Sequence, residues 1–332
     1  MATPPLALAA IRDAAARIAG QVHRTPLLSA RALGEPAGVV LFLKCENLQK
    51  TGSFKPRGAL NKVLSLTESE RGRGLITVSA GNHAQAVAWA AGVVTAPCTV
   101  VMPADAPRSK VDAVKGYGAE VVLHDNRATL FDRLHEERER RGATFVHPFD
   151  DPLGLAGAGT VGLEVLEQCP DLECVIVPVG GGGLLGGVAA AVKALAPKVR
   201  VVAVELEAGP GLGPALAAGK PVTVARPKDT LADGLTPPFV GERPLEIART
   251  CMDELVTVTE PAIADAMRRL ASRAKLVAEG SGAAATAALL SGRVRLPGGT
   301  RVVAIVSGGN VDPERLGAVL SAREPAAAGA RR

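Results

Sequence analysis

The chain has 332 residues, with 38 Lys and Arg against 33 Asp and Glu, a formal charge of +5 and 47% hydrophobic residues; that is enough for two lobes or one large α/β unit with a buried core. One Trp, one Tyr and six Phe leave the core to Val, Leu, Ile and Ala, which favours parallel sheet beneath Ala-rich helices over an aromatic-rich sandwich. The positive charges are dispersed among acids, and the one dense run, Glu136–Arg141, alternates in sign, which argues against nucleic acid as a partner.

In chain order, Met1–Arg12 lacks the basic start and apolar stretch of a signal peptide. Apolar runs predict strands at Val39–Lys44, Leu75–Val78, Cys98–Met102, Glu120–Leu123, Thr144–Phe145, Cys174–Pro178, Arg200–Glu205 and Val302–Val306. Amphipathic, Ala-rich stretches between them predict helices at Phe54–Leu66, Asn82–Ala91, Pro107–Gly116, Thr129–Arg141, Ala158–Glu167, Gly186–Leu195, Glu260–Ala274 and Gly282–Ser291. Such alternation implies an α/β fold with parallel strands. Residues 74–151 carry strands and helices of their own, so they are expected to form a small domain inserted into a large one made of 1–73 and 152–323. The Ala-, Pro- and Arg-rich stretch 324–332 is expected to be a disordered tail. Cys45, Cys98, Cys169, Cys174 and Cys251 are odd in number and form no CxxC pair, as expected of reduced thiols in a cytoplasmic protein. No apolar run of about 18 residues exists to span a membrane.

Four segments carry candidate chemistry. Lys44–Ala59 leaves a strand, turns through Thr51, Gly52 and Ser53, and enters a helix with Lys55 in its first turn. A cation at the positive end of a helix dipole is disfavoured, which lowers the amine pKa and provides the neutral nitrogen that imine formation needs. Gly180, Gly181, Gly182 and Gly183 stand between an apolar strand and a helix, so the loop's N–H groups can converge on a phosphate. No Walker lysine follows them, and no acidic residue of a dinucleotide fold lies about 20 positions on. Ser79-Ala80-Gly81-Asn82-His83 ends a strand and opens a helix, a place suited to a carboxylate. Ser307 ends the last predicted strand, in Ser307-Gly308-Gly309-Asn310, and presents one hydroxyl.

Together these segments resemble the threonine/serine dehydratase and serine racemase family of fold-type II PLP-dependent enzymes. The resemblance runs from His23–Leu27 to Ser307–Asn310 and includes His147–Asp151, Gly157–Thr160, Ala232–Gly234 and Val277–Glu279. It implies two open, twisted, mostly parallel sheets flanked by helices, in a large and a small lobe. It implies pyridoxal 5′-phosphate on Lys55, with the phosphate on the amides of Gly180, Gly181, Gly182, Gly183 and Leu184. By the same resemblance Phe54 would lie against the ring, Asn82 at the ring oxygen, Ser307 at the pyridine nitrogen and Glu279 near the ring edge. Ser79, Ala80, Gly81, Asn82 and His83 would hold the substrate carboxylate.

The implied reaction is α,β-elimination of water from a small β-hydroxy amino acid, L-threonine or L-serine, giving a 2-oxo acid and ammonia. Ser307 cannot keep a pyridine nitrogen protonated as an aspartate would, and this favours prompt loss of the hydroxyl. Related racemases carry a serine just before Gly-Asn-His; Ala80 stands there and cannot move a proton, which favours elimination over racemisation. The alternatives are an amino-acid (serine) racemase and a dehydratase of a larger 3-hydroxy amino acid, such as 3-hydroxyaspartate or a hydroxyectoine-derived compound. The Asn-Pro loop and Thr-Ser-Gly-Asn-Thr block of cysteine synthases are absent. The family also implies a Mg, Ca or K cation, with Glu205 and the Gly209 carbonyl as ligands, although Gly211 replaces the second acid. A homodimer or homotetramer without a C-terminal regulatory domain is expected.

Overall fold

The structure, a computed structural model, describes residues 6–227 and 229–322. The expected tail at 324–332 lies outside them. Among the described residues ten strands form two sheets: β1 (Leu27–Ser29), β2 (Val40–Cys45), β3 (Leu75–Val78), β4 (Cys98–Pro103), β5 (Glu120–His124), β6 (Thr144–Phe145), β7 (Cys174–Pro178), β8 (Arg200–Leu206), β9 (Glu254–Val258) and β10 (Arg301–Val306). The larger sheet has the order β1-β2-β10-β7-β8-β9, the smaller β5-β4-β3-β6. All neighbours run parallel except β1, which pairs antiparallel with β2.

Both faces of the larger sheet are covered, which is why its central strands read as unbroken apolar runs. Successive residues alternate between two cores. Ile176, Val202, Val204, Val302 and Ala304 pack beneath the helix Gly280–Leu290, while Val175, Val177, Val201, Ala203, Val303 and Ile305 pack beneath Gly183–Leu195. The sequence reading did not anticipate β1 and β9. Both are edge strands; β1 has three residues, and β9 is half-buried over most of its length, so neither shows a sustained apolar pattern.

Helix ends moved for identifiable reasons. The helix expected from Ala158 begins at Pro152, because the Asp151 carboxylate accepts from the N–H groups of Leu153 (2.8 Å) and Gly154 (3.0 Å), an N-cap with Pro in the first turn. The helix expected from Gly186 begins at Gly183, at the end of the glycine loop. These two helices and Lys55–Ser65 pack backbone to backbone: a Cβ on Gly157 would lie 2.4 Å from the Arg57 carbonyl, and one on Gly187 2.4 Å from the Gly159 nitrogen. The C-terminal ends of β2, β10 and β7, three neighbours in one parallel sheet, therefore open onto the Lys55 turn, Ser307 and the glycine loop. Ligands of open parallel sheets bind at that edge.

Candidate active site

Lys55 is the first residue of its helix, with Phe54 at the N-cap. Thr51 and Gly52 turn the chain through left-handed conformations (φ 56° and 74°), and the Phe54 N–H donates to the Ser307 carbonyl at 3.1 Å. The Lys55 amine donates to the Pro148 carbonyl at 2.7 Å and lies 5.1 Å from the centre of the Phe54 ring. Burial without a compensating carboxylate pushes its pKa down to about 8. Far more neutral amine is therefore present near physiological pH than an ordinary lysine offers.

In the glycine loop Gly182 takes φ 90° and caps the helix Gly183–Leu195, a conformation that favours glycine. The loop is walled in on its other side: a Cβ on Gly180 would come 2.5 Å from the Gly234 carbonyl, and one on Gly181 2.2 Å from the Phe149 ring. Among the described residues none of the N–H groups of Gly180, Gly181, Gly182, Gly183 and Leu184 donates to another backbone group. Five donors at a helix N-terminus without a protein acceptor are an anion site.

The smaller sheet supplies the opposite side. After β3, Ser79 Oγ accepts from the Gly81 N–H at 3.1 Å, and the helix Asn82–Val93 begins. Ala80 packs against the smaller sheet's core. His83 is buried, with Nε2 3.0 Å from the Val146 carbonyl; burial, helped by the Lys55 charge, holds its pKa near about 3. Its ring is thus neutral, and Nε2 must be the donor to that carbonyl. His147 Nδ1 accepts from the N–H groups of Phe149 (3.2 Å) and Asp150 (2.9 Å), and burial lowers its pKa as well. Both imidazoles are thus biased toward the neutral form.

Asn82 Nδ2 donates to Glu279 Oε1 at 2.6 Å, and Asn82 Oδ1 accepts from Asn310 Nδ2 at 2.7 Å. Burial, reinforced by the charge of Asp233, pushes Glu279 up to about 8, so its carboxyl is largely protonated at neutral pH. Ser307 is buried, its hydroxyl at the outer limit of hydrogen bonding to the Ser281 carbonyl (3.5 Å).

The Glu205 carboxylate, expected to ligate a cation, is met by backbone amides. Glu205 is buried, and its two oxygens accept from the N–H groups of Gly211 (2.7 Å), Leu212 and Gly213 (3.0 Å). It thus accepts at the start of the helix Leu212–Ala218, where a carboxylate is favoured. The Gly209 N–H donates to the Leu206 carbonyl. Among the described residues no three His, Cys, Asp or Glu side chains gather as a metal site.

Sequence reasoning assigned no role to several groups found here. The Pro148 carbonyl is a backbone acceptor and leaves no side-chain signature. Phe149, set against Gly181, belongs to the His147–Asp151 block, whose two aspartates cap different helices: Asp151 that of Pro152–Gln168, and Asp150 the start of Glu242–Cys251 through the Glu242 N–H (3.0 Å). Lys110 pairs with Asp233, and Ser109 Oγ donates to Asp312 at 2.7 Å, so the helix Arg108–Gly116 bonds to loops of the larger sheet across the site.

A family profile described as "Pyridoxal-phosphate dependent enzyme" matches residues 18–308. An L-threonine ammonia-lyase of Thermotoga maritima is 44% identical over 315 residues, 94% of this chain and 77% of that protein. The catabolic L-threonine dehydratase of Escherichia coli K12 is 43% identical over 314 residues, 94% and 95% of the two chains. The structure of maize serine racemase superposes with a TM-score of 0.90 at 38% identity, covering 95% of this chain and 96% of that one. Two mostly parallel sheets, a glycine loop and a half-buried lysine thus agree with a profile spanning most of the sequence, and the chain belongs to the pyridoxal-phosphate-dependent enzymes of fold type II.

Proposed function

We propose that the protein eliminates water from a small β-hydroxy amino acid, L-threonine or L-serine, releasing a 2-oxo acid and ammonia. One observation carries this reading: a lysine amine with no counter-ion, lowered to about 8, faces the same strand ends as five amides that have no backbone acceptor. These features fit pyridoxal 5′-phosphate, whose aldehyde requires a neutral amine and whose phosphate requires donors. When bound, the cofactor supplies an electron sink for the Cα carbanion.

The chain's own residues do the rest. The amides of Gly180, Gly181, Gly182, Gly183 and Leu184 would hold the phosphate, with Phe54 beside the ring, Asn82 as donor to its oxygen, Ser307 toward the pyridine nitrogen and Glu279 near the ring edge. Ser79, Ala80, Gly81, Asn82 and His83 bind the substrate carboxylate at the start of a helix. Lys55 Nζ would take the Cα proton and pass it to the β-hydroxyl, so that the Cβ–O bond breaks with loss of water; a second water then hydrolyses the released enamine, through its imine, to the 2-oxo acid and ammonia. Residues 74–151 act as the small domain of this enzyme and residues 1–73 and 152–323 as the large one, in a cytoplasmic homodimer or homotetramer.

The relatives named L-threonine ammonia-lyase and L-threonine dehydratase support this substrate class. The likeness to a serine racemase supports a second reading. Racemisation needs an acid on the face opposite Lys55, and Ala80 has none; the Ser79 hydroxyl, which accepts from the Gly81 N–H and keeps its own proton, is the group that the second reading would have to use. Incubation with L- and D-threonine and L- and D-serine, following 2-oxo acid and chirality, separates the two. Elimination predicts 2-oxo acid from the L-forms; D-enantiomer without 2-oxo acid would support racemisation.

A further inference from the structure

A carboxamide can face its neighbours in two ways that exchange an acceptor for a donor. For Asn82 the choice decides whether an NH2 group or a carbonyl is turned toward Glu279 and the site. The orientation can be traced to one backbone group. The Thr51 carbonyl can only accept, and Asn310 Nδ2 lies 2.7 Å from it, so Asn310 must present its NH2 group on that side. The same nitrogen is 2.7 Å from Asn82 Oδ1, so Asn82 must present its carbonyl to Asn310. Its NH2 group is then directed at Glu279, 2.6 Å away. Asn310 Oδ1 lies where a Cβ on Gly52 would fall (2.4 Å), so the turn before Lys55 has room for this side chain only because residue 52 is glycine.

We propose that Asn310 is a positioning residue: by donating to both the Thr51 carbonyl and Asn82 Oδ1, it locks the Asn82 amide with its NH2 group toward the cofactor, and ties the Lys55 turn to the end of β3. This rests on the assignment of pyridoxal 5′-phosphate to Lys55 given above.

Asn310→Asp keeps the shape but removes both donors and sets a carboxylate against two acceptors. Asn82 then turns over and offers its carbonyl to the ring oxygen. Asn310→Ala removes the donors without imposing the reverse orientation. Cofactor-free protein titrated with pyridoxal 5′-phosphate should show the order wild type, Asn310→Ala, Asn310→Asp. The apparent Kd rises about tenfold or more for the Asp variant and less for Ala, in line with the loss of hydrogen bonds worth about 1 kcal/mol each, and the visible band of the Asp variant is displaced. Circular dichroism of the cofactor-free proteins checks folding. Should Asn310→Asp not fold, Asn310→Ser, which retains one donor, should bind the cofactor more tightly than Asn310→Ala. An Asp variant with wild-type affinity and band, or Ala binding more weakly than Asp, or Ser no better than Ala, overturns the proposal. Lys55→Ala distinguishes the two failures: if it too forms the coloured adduct, the assignment to Lys55 fails; if only wild type and the Asn310 variants colour alike, Asn310 alone fails.

Discussion

Lys55 and Arg57 open the same helix, the first half-buried and the second fully so, and their surroundings treat charge in opposite ways. Lys55 has one carbonyl acceptor and no carboxylate, and its pKa falls to about 8. Arg57 is 1% exposed, and burial works against its charge; the carboxylates of Glu46 and Glu164 outweigh that and raise its pKa. Glu46 grips it with both oxygens at 2.8 Å, and Glu164 adds a contact at 2.6 Å. The second oxygen of Glu164 takes Lys44 at 2.5 Å, and Lys44 also donates to the Thr25 carbonyl at 2.8 Å. Two cations and two carboxylates thus balance behind the helix. A buried charge persists where it is paired and hydrogen-bonded, and yields its proton where it is not. One turn of helix holds both cases: a fixed anchor and, two residues earlier, a reactive amine.

The largest effect should come from Lys55→Ala. Turnover should fall by about 10³-fold or more and the bound cofactor's colour should vanish, while the cofactor-free protein keeps or gains thermal stability because an unpaired buried amine is gone. Glu46→Gln attacks the other case. Leaving Arg57 half-neutralised should cost about 3–5 kcal/mol of stability in urea unfolding, the usual penalty for breaking a buried pair, and adding Arg57→Met should restore much of it.

The pH behaviour separates the two cations further. Only neutral Lys55 forms an imine, so the rate of reconstitution from cofactor-free protein should climb as pH rises toward about 8 and level off above it. The folded-state pKa lies below the ordinary 10.5, so between these values the unfolded chain binds a proton that the folded one lacks. Stability of the cofactor-free protein should therefore rise with pH across that window, carry the full penalty below about 8, and lose this slope in Lys55→Ala. A smaller effect tests a third arrangement, a buried carboxylate satisfied by amides alone. Glu205→Gln should cost about 1–2 kcal/mol, the scale of a lost helix cap, and leave cofactor affinity unchanged.

Much of the frame was legible because parallel strands buried on both faces write continuous apolar runs: β7 was read from Cys174 to Pro178, as it is found. Lys55, the glycine loop and Asn82 were legible because turns and helix starts restrict which residues can stand there. What stayed hidden depends on distance through space. The four charges of the cluster that includes Arg57 come from positions 44, 46, 57 and 164, and Asn310 meets Asn82 across 228 positions. Glu205 is a further case: a carboxylate at a strand end does not reveal in sequence that it meets the N–H groups of Gly211, Leu212 and Gly213 at the start of Leu212–Ala218.

We propose that, of Lys44 and Lys55, the amine without a carboxylate partner carries the cofactor. Borohydride reduction of the reconstituted enzyme followed by peptide mass spectrometry tests it most directly. The predicted result is a single pyridoxyl adduct, on the peptide containing Lys55. An adduct on Lys44 or on any other lysine, with Lys55 unmodified, would contradict it.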